Sequence, residues 1–294
     1  MFQHCLICTN FSDGLHRLTD FVPDLASSGL KRIVFLHIIS VWQDGRGSRI
    51  DEEQVAAAKE RLSAALTSVP EGVEVKVEVA LGRPVEKILR AVETYQIDVV
   101  FVGTPIRSLL EEKILGSTSA ALTKLMSTPL IVLRPELITT YTREELSLRC
   151  RHLWRYLLIP YNDGKAARYL IERIKEYAKK QPEKHLKQCM LVWVVSDGLR
   201  EKVLITNRLQ EAQKKLESVK AELEALGLEV NTEVRQGNPL LEILDAALYF
   251  DISAIAIATD RQPDWLELAV PCFARDLLRR SWFPVLFFSA DRQN

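Results

Sequence analysis

The chain repeats itself, and the repeat constrains its fold more than any single motif does. Gly82-Arg83-Pro84 is followed by Ile88 and Ala91, and Gly237-Asn238-Pro239 by Ile243 and Ala246, each at an offset of 155 residues. Residues 97–103 (IDVVFVG) overlay 252–258 (ISAIAIA), and 129–132 overlay 284–287, at the same offset. Nearer the start, residues 6–10 overlay 158–162 at an offset of 152, so the second copy holds three extra residues in its middle. The 294 residues read as two related domains, 1–137 and 153–294, joined by a linker over 138–152. The linker is basic around Arg149 and Arg151 and carries a capping pattern for one or two helical turns.

Within each copy, short apolar runs alternate with longer helical patterns, as in βαβ units built on a parallel sheet. The first copy predicts strands over 5–9, 33–39, 73–79, 99–102 and 130–133, with helices over 15–27, 51–68, 85–95 and 117–126. The second predicts strands near 156–160, 190–195, 229–235, 254–257 and 285–288. Its second helix, 203–226, carries glutamate and lysine spaced for i,i+4 pairing. The fold class is therefore α/β, with two tandem five-stranded, doubly wound parallel-sheet domains.

Composition narrows the function. Thirty-nine lysines and arginines balance 39 aspartates and glutamates, so no net field draws the chain to nucleic acid or an anionic membrane. No run approaches a membrane span or a secretory signal, and five cysteines, an odd number, suit a reducing compartment; the expected location is cytoplasmic. Cys5 and Cys8 form C-x-x-C, but on a strand residues three apart face opposite ways. The five histidines show no metal-ligand spacing, and neither a G-x-S-x-G nor a G-x-x-x-x-G-K-[ST] motif occurs. No catalytic residue and no metal site is expected.

In an open parallel sheet a ligand binds beyond the carboxyl ends of the strands, where strand order reverses. In the first copy that region collects the loop Thr9, Asn10, Phe11 and Ser12, the strand end Gly103, and Gly116-Ser117-Thr118-Ser119 opening a helix. Glycine admits a phosphate close to the backbone, free amides at the helix start point at it, and the hydroxyls add donors. A Gly-Ser-Thr helix start is also an ordinary N-cap, so these residues alone leave both readings open.

The whole chain resembles a tandem universal stress protein. The resemblance is carried by residues 6–12, Gly82-Arg83-Pro84 with Ile88, residues 98–103, Gly116-Ser117 and residues 128–132. It implies a Rossmann-like fold of the adenine-nucleotide alpha hydrolase type, with the two domains associating through their last strands as a pseudo-dimer. It also implies a stress-response or regulatory protein acting by binding, with ATP or AMP as ligand and no required cofactor. Nucleotide-binding members carry glycine, two residues, glycine, nine residues, glycine, then serine or threonine. Gly103, Gly116 and Ser117 keep that register, but Ile106 stands at the second glycine and Asn10 at the family's aspartate. Isoleucine brings a β-branched side chain to a place where backbone meets phosphate, and Pro105 removes an amide. Arg107 is either a compensating phosphate partner or a solvated loop residue, and Ile38 or Ile39 is expected against the base.

In the second copy Gly103 becomes Ala258, Ile106 Arg261, Gly116 Pro271 and Ser117 Cys272, while Asn162 again stands in place of aspartate. That copy is expected not to bind nucleotide. Trp265, Phe273 and Trp282 near the rebuilt loop suit either packing or a protein contact. The expected function is weak adenine-nucleotide binding in the first domain only. The alternatives are a nucleotide-independent scaffold for a protein partner or homodimer, and a slow ATP hydrolase for which no base is identified.

Overall fold

The computed structural model describes residues 1–39, 52–104, 117–180, 185–196, 202–260 and 272–290. The chain divides into two compact units, Phe2–Arg151 and His152–Asn294.

In the first unit β1 (His4–Thr9) leads through a 3₁₀ helix (Leu15–Phe21) and α1 (Val22–Ser27) to β2 (Arg32–Ile39). There follow α2 (Glu52–Leu62), β3 (Glu74–Leu81), α3 (Pro84–Tyr95), β4 (Val99–Gly103), α4 (Ser117–Leu125), β5 (Leu130–Leu133), α5 (Pro135–Thr140) and α6 (Arg143–Arg151). The sheet order is β3-β2-β1-β4-β5, with every pair parallel. Cys5, Leu6, Ile7, Val99, Val100 and Phe101 are wholly buried. Central parallel strands are covered on both faces, which is why these read as unbroken apolar runs.

The second unit runs β6 (Tyr156–Pro160), α7 (Lys165–Lys180), β7 (Gln188–Val195), α8 (Lys202–Glu224), β8 (Glu229–Gln236), α9 (Pro239–Tyr249), β9 (Ala254–Asp260), α10 (Phe273–Arg280) and β10 (Val285–Ala290). Its order, β8-β7-β6-β9-β10, repeats that of the first, again all parallel. On α8, Lys215 pairs with Glu211 at 3.0 Å, as the charge spacing predicts.

The repeat is legible in the backbone as well. Left-handed residues recur in matched pairs: Phe11 and Asp163, Gly72 and Gly227, Gly82 and Gly237, Gln96 and Asp251. Gly82 and Gly237, at φ +126° and +146°, occupy a region that side chains rarely adopt, and each opens the turn before a proline-led helix. A second pair shares a task with different chemistry. The Asp98 carboxylate accepts from the backbone amides of Gln3 (2.9 Å) and His4 (3.0 Å), while the Ser253 hydroxyl accepts from that of Tyr156 (3.3 Å). Each ties the start of the first strand to that of the fourth.

Two sequence expectations are modified. The helix predicted over 15–27 is a 3₁₀ helix followed by α1, because Pro23 has no N–H to give the carbonyl four residues back. The stretch 138–152, read as a linker, carries the end of α5 and all of α6, which belong to the first unit. Leu146 and Cys150 are buried, and Asp24 on α1 accepts from Ser147 Oγ (2.9 Å) and pairs with Arg151 Nε (2.6 Å). Arg17 reaches the carbonyls of Ile138 and Tyr141. No helix among the described residues is long and apolar enough to cross a membrane, and no group of three or more candidate metal ligands occurs among them.

Candidate functional site

Strand order reverses between β1 and β4, and there the first unit holds a cleft of about 350 Å³. Thr9, Asn10 and Ser12 from the β1 loop, Ile38 from β2, Gly103 from the end of β4, and Ser117 and Thr118 from the start of α4 all line it. Residues separated by as many as 109 positions in the chain are thus brought together by the crossover topology alone. Phe11 and Ile39 are not among the lining residues. Pro105, Ile106, Arg107 and Gly116 lie outside the described residues, as do Arg261, Trp265 and Pro271.

The β1 loop is held by its own side chains. Asn10 Oδ1 accepts from the Ser12 amide (2.9 Å), the Ser12 hydroxyl (2.8 Å) and the Asp13 amide (3.0 Å). Asparagine suits this role because one carbonyl oxygen can receive several donors two and three residues on. Asn162 repeats the arrangement with the Gly164 amide at 3.0 Å.

Asp13, which sequence reasoning missed, is the hub of the loop. Its Oδ1 accepts from the Thr9 hydroxyl (2.7 Å) and the Leu15 amide (3.0 Å), and its Oδ2 from the Asn10 amide (3.0 Å). It is buried and lines the cleft. A Cβ on Gly103 would lie 2.8 Å from the Cβ of Asp13, closer than real Cβ contacts come. Gly103 therefore makes room for an aspartate on the neighbouring loop. Thr104 and Ser119 also line the cleft; Ser119 continues the Ser117-Thr118 run and was within reach of sequence reasoning.

Beside the cleft Phe11 takes φ +66°, an outlier for a bulky residue. Two groups pack on its ring: the His37 ring centre lies 4.2 Å away and the Arg61 guanidinium 4.1 Å from the Phe11 centroid. His37 Nδ1 donates to the Thr9 carbonyl at 2.9 Å. His16 meets Phe11 edge-on at 5.9 Å, and its Nδ1 is buried without a hydrogen-bond partner. Burial first, and Arg61 second, lower the pKa of His16 below the usual histidine range. Cys8 also lines the cleft, and burial followed by the Asp13 charge pushes its thiol well up. All five cysteines are free.

The second unit keeps a cleft of about 340 Å³ at the same place but changes its chemistry. Where the first offers Ser117, Thr118 and Ser119, the matched residues are Cys272, Phe273 and Ala274, and Phe273 and Ala274 line the wall. Ala258 replaces Gly103, and the chain enters α7 directly at Lys165, the counterpart of Asp13. The left-handed Asp163 is tied to Arg168 (2.7 Å) and Lys215 (3.0 Å), which hold its carboxyl well below the usual range. Trp282 is exposed at 66%.

A sheet that doubles back at β1 and β4, repeated in a second unit with a cleft at the same switch point, defines a tandem doubly wound α/β protein. The sequence model of the Universal stress protein family matches residues 1–134 and again 154–289, and the chain belongs to that family. Among solved structures, a universal stress protein from Archaeoglobus fulgidus DSM 4304 aligns at 19% identity over 99% of this chain and 97% of its own, with a TM-score of 0.66. A functionally unknown protein from Pseudomonas aeruginosa PAO1 aligns at 12% identity over 98% and 92%, with a TM-score of 0.59. A putative universal stress protein from Pseudomonas aeruginosa UCBPP-PA14 aligns at 14% identity over 98% and 93%, with a TM-score of 0.53. At these identities the likeness is one of fold. No curated protein sequence matches the chain.

Proposed function

We propose that this universal stress protein is a cytoplasmic regulatory protein of the stress response that binds an adenine nucleotide, ATP or AMP, weakly and in its first unit only. The observation that carries the reading is the gathering of Gly103, Ser117 and Thr118 with Thr9, Asn10 and Ser12 around one cleft at the switch point. Ser117 and Thr118, the first two residues of a nine-residue helix, line that space, and a helix start that carries hydroxyls is the chemistry that receives phosphate. Leu36, Ile38 and Ile88 supply the apolar wall a base needs. In the second unit Cys272 and Phe273 stand at the positions of Ser117 and Thr118, which supports confining the ligand to the first. Binding rather than turnover fits a cleft whose one lining carboxylate, among the described residues, is engaged by three donors.

A second reading, a nucleotide-independent scaffold for a protein partner or a second copy, draws on Leu248, Tyr249 and Trp282, large apolar side chains left exposed in the second unit. Calorimetry with AMP and ATP separates the two. Heat of binding is expected; Ser117→Ala weakens it several-fold, and Cys272→Ala leaves it unchanged. Silence at millimolar nucleotide sinks the binding reading in favour of the scaffold.

A further inference from the structure

The described lining of the first cleft carries the same sign of charge as the ligand proposed for it. Asp13 lines it, and no lysine, arginine or histidine does so among the described residues. The carboxylate cannot swing away, since it is buried and both oxygens are engaged by Thr9, Asn10 and Leu15. It also stands at the phosphate end: its Oδ2 lies 3.7 Å from the place a Cβ on Gly103 would occupy. Phosphate seated between Gly103 and Ser117 meets a fixed negative charge in a partly desolvated space, where like charges repel far more than in water. The helix start and the hydroxyls of Ser117 and Thr118 offset part of one phosphate's charge, and among the described residues no cation lines the cleft to offset that of three.

We infer that Asp13 sets ligand charge: the cleft takes adenine ligands of low phosphate charge, AMP in preference to ATP, and adenosine at least as well as AMP. The inference rests on the adenine-nucleotide reading above and deepens it. The second copy, with Lys165 and Ala258 at the matching positions, has given up both the carboxylate and the glycine that accommodates it.

The test is calorimetry on the full chain with adenosine, AMP and ATP in metal-free buffer, for wild type and Asp13→Asn. The wild type is expected to bind AMP about tenfold or more tighter than ATP, and Asp13→Asn to close most of that gap. ATP binding as tightly as AMP to wild type overturns the inference while leaving the adenine reading intact. So does a gap that persists in a folded Asp13→Asn protein. If that variant fails to fold, Asp13→Ser takes its place, and wild type binding adenosine more weakly than AMP overturns the role of Asp13 without any variant. Silence from all three ligands overturns the adenine reading and this inference with it.

Discussion

Gly103 and Asp13 fit together only because one of them lacks a side chain: a Cβ on Gly103 would stand 2.8 Å from that of Asp13. Gly103→Ala is therefore expected to cost about 1–3 kcal/mol, as overpacking does. Asp13→Gly removes the opposing atom, so the double variant should lose less than the sum of the singles. Chemical denaturation of the four proteins measures the coupling, and strict additivity would show that the two residues do not meet.

Asn10 stands where nucleotide-binding relatives carry aspartate, yet its Oδ1 gathers three donors that a carboxylate oxygen could equally receive. Asn10→Asp should leave the denaturation midpoint nearly unchanged. Asn10→Ala should cost about 1 kcal/mol, since the Ser12 and Asp13 donors lose their shared acceptor. Equal costs for the two would place the importance of Asn10 elsewhere than in its carbonyl.

Because α6 docks on α1 through Leu146, Cys150 and the Asp24 pair, the first unit needs its C-terminal helix. A fragment of residues 1–151 should unfold cooperatively, and one of residues 1–137 at a clearly lower temperature. Matching calorimetric transitions would return residues 138–151 to the status of a connector.

Burial raises the thiols of Cys5, Cys8, Cys150 and Cys189, the last to about 12. At mildly alkaline pH all four remain protonated, and Cys5, Cys150 and Cys189 are also buried, so native alkylation followed by mass mapping should label Cys272 first. Early modification of Cys8 would mean that its thiol ionises more readily than its surroundings and the Asp13 charge allow.

Lys76 and Arg32 lower the Glu74 carboxyl from 4.5 to about 2. A depressed acid stabilises the fold above its unfolded value and loses that contribution as pH falls toward the folded one. The difference in melting temperature between wild type and Glu74→Gln should thus be present near neutrality and shrink between pH 4.5 and 2. Both partners are substantially exposed, so the difference is small and falls with salt. A difference that grows on acidification contradicts the pairing.

The periodicities of the sequence carry the strands, most helices and the repeat, because buried parallel strands must be apolar throughout and helix starts leave chemical marks. They also bring Thr9, Asn10, Ser12, Gly103, Ser117 and Thr118 to the carboxyl ends of the strands, whereas Ile38 is named only by the family resemblance. What they do not carry is contact between loops. The need of Asp13 for a glycine 90 residues away is visible only when both are folded. Phe11 is similar: nothing local announces a left-handed phenylalanine, and the stacking of His37 and Arg61 from other elements accompanies it. Basic residues in 138–152 suggest a solvated tether, whereas Arg17 and Arg151 are spent on docking helices.

Two clefts at equivalent switch points, one hydroxyl-rich and one lined by phenylalanine and alanine, give the chain a built-in reference channel. Any ligand, salt or temperature reaches both at the same concentration in the same molecule. A signal confined to one of them reports its chemistry, and a signal common to both reports only the shared scaffold.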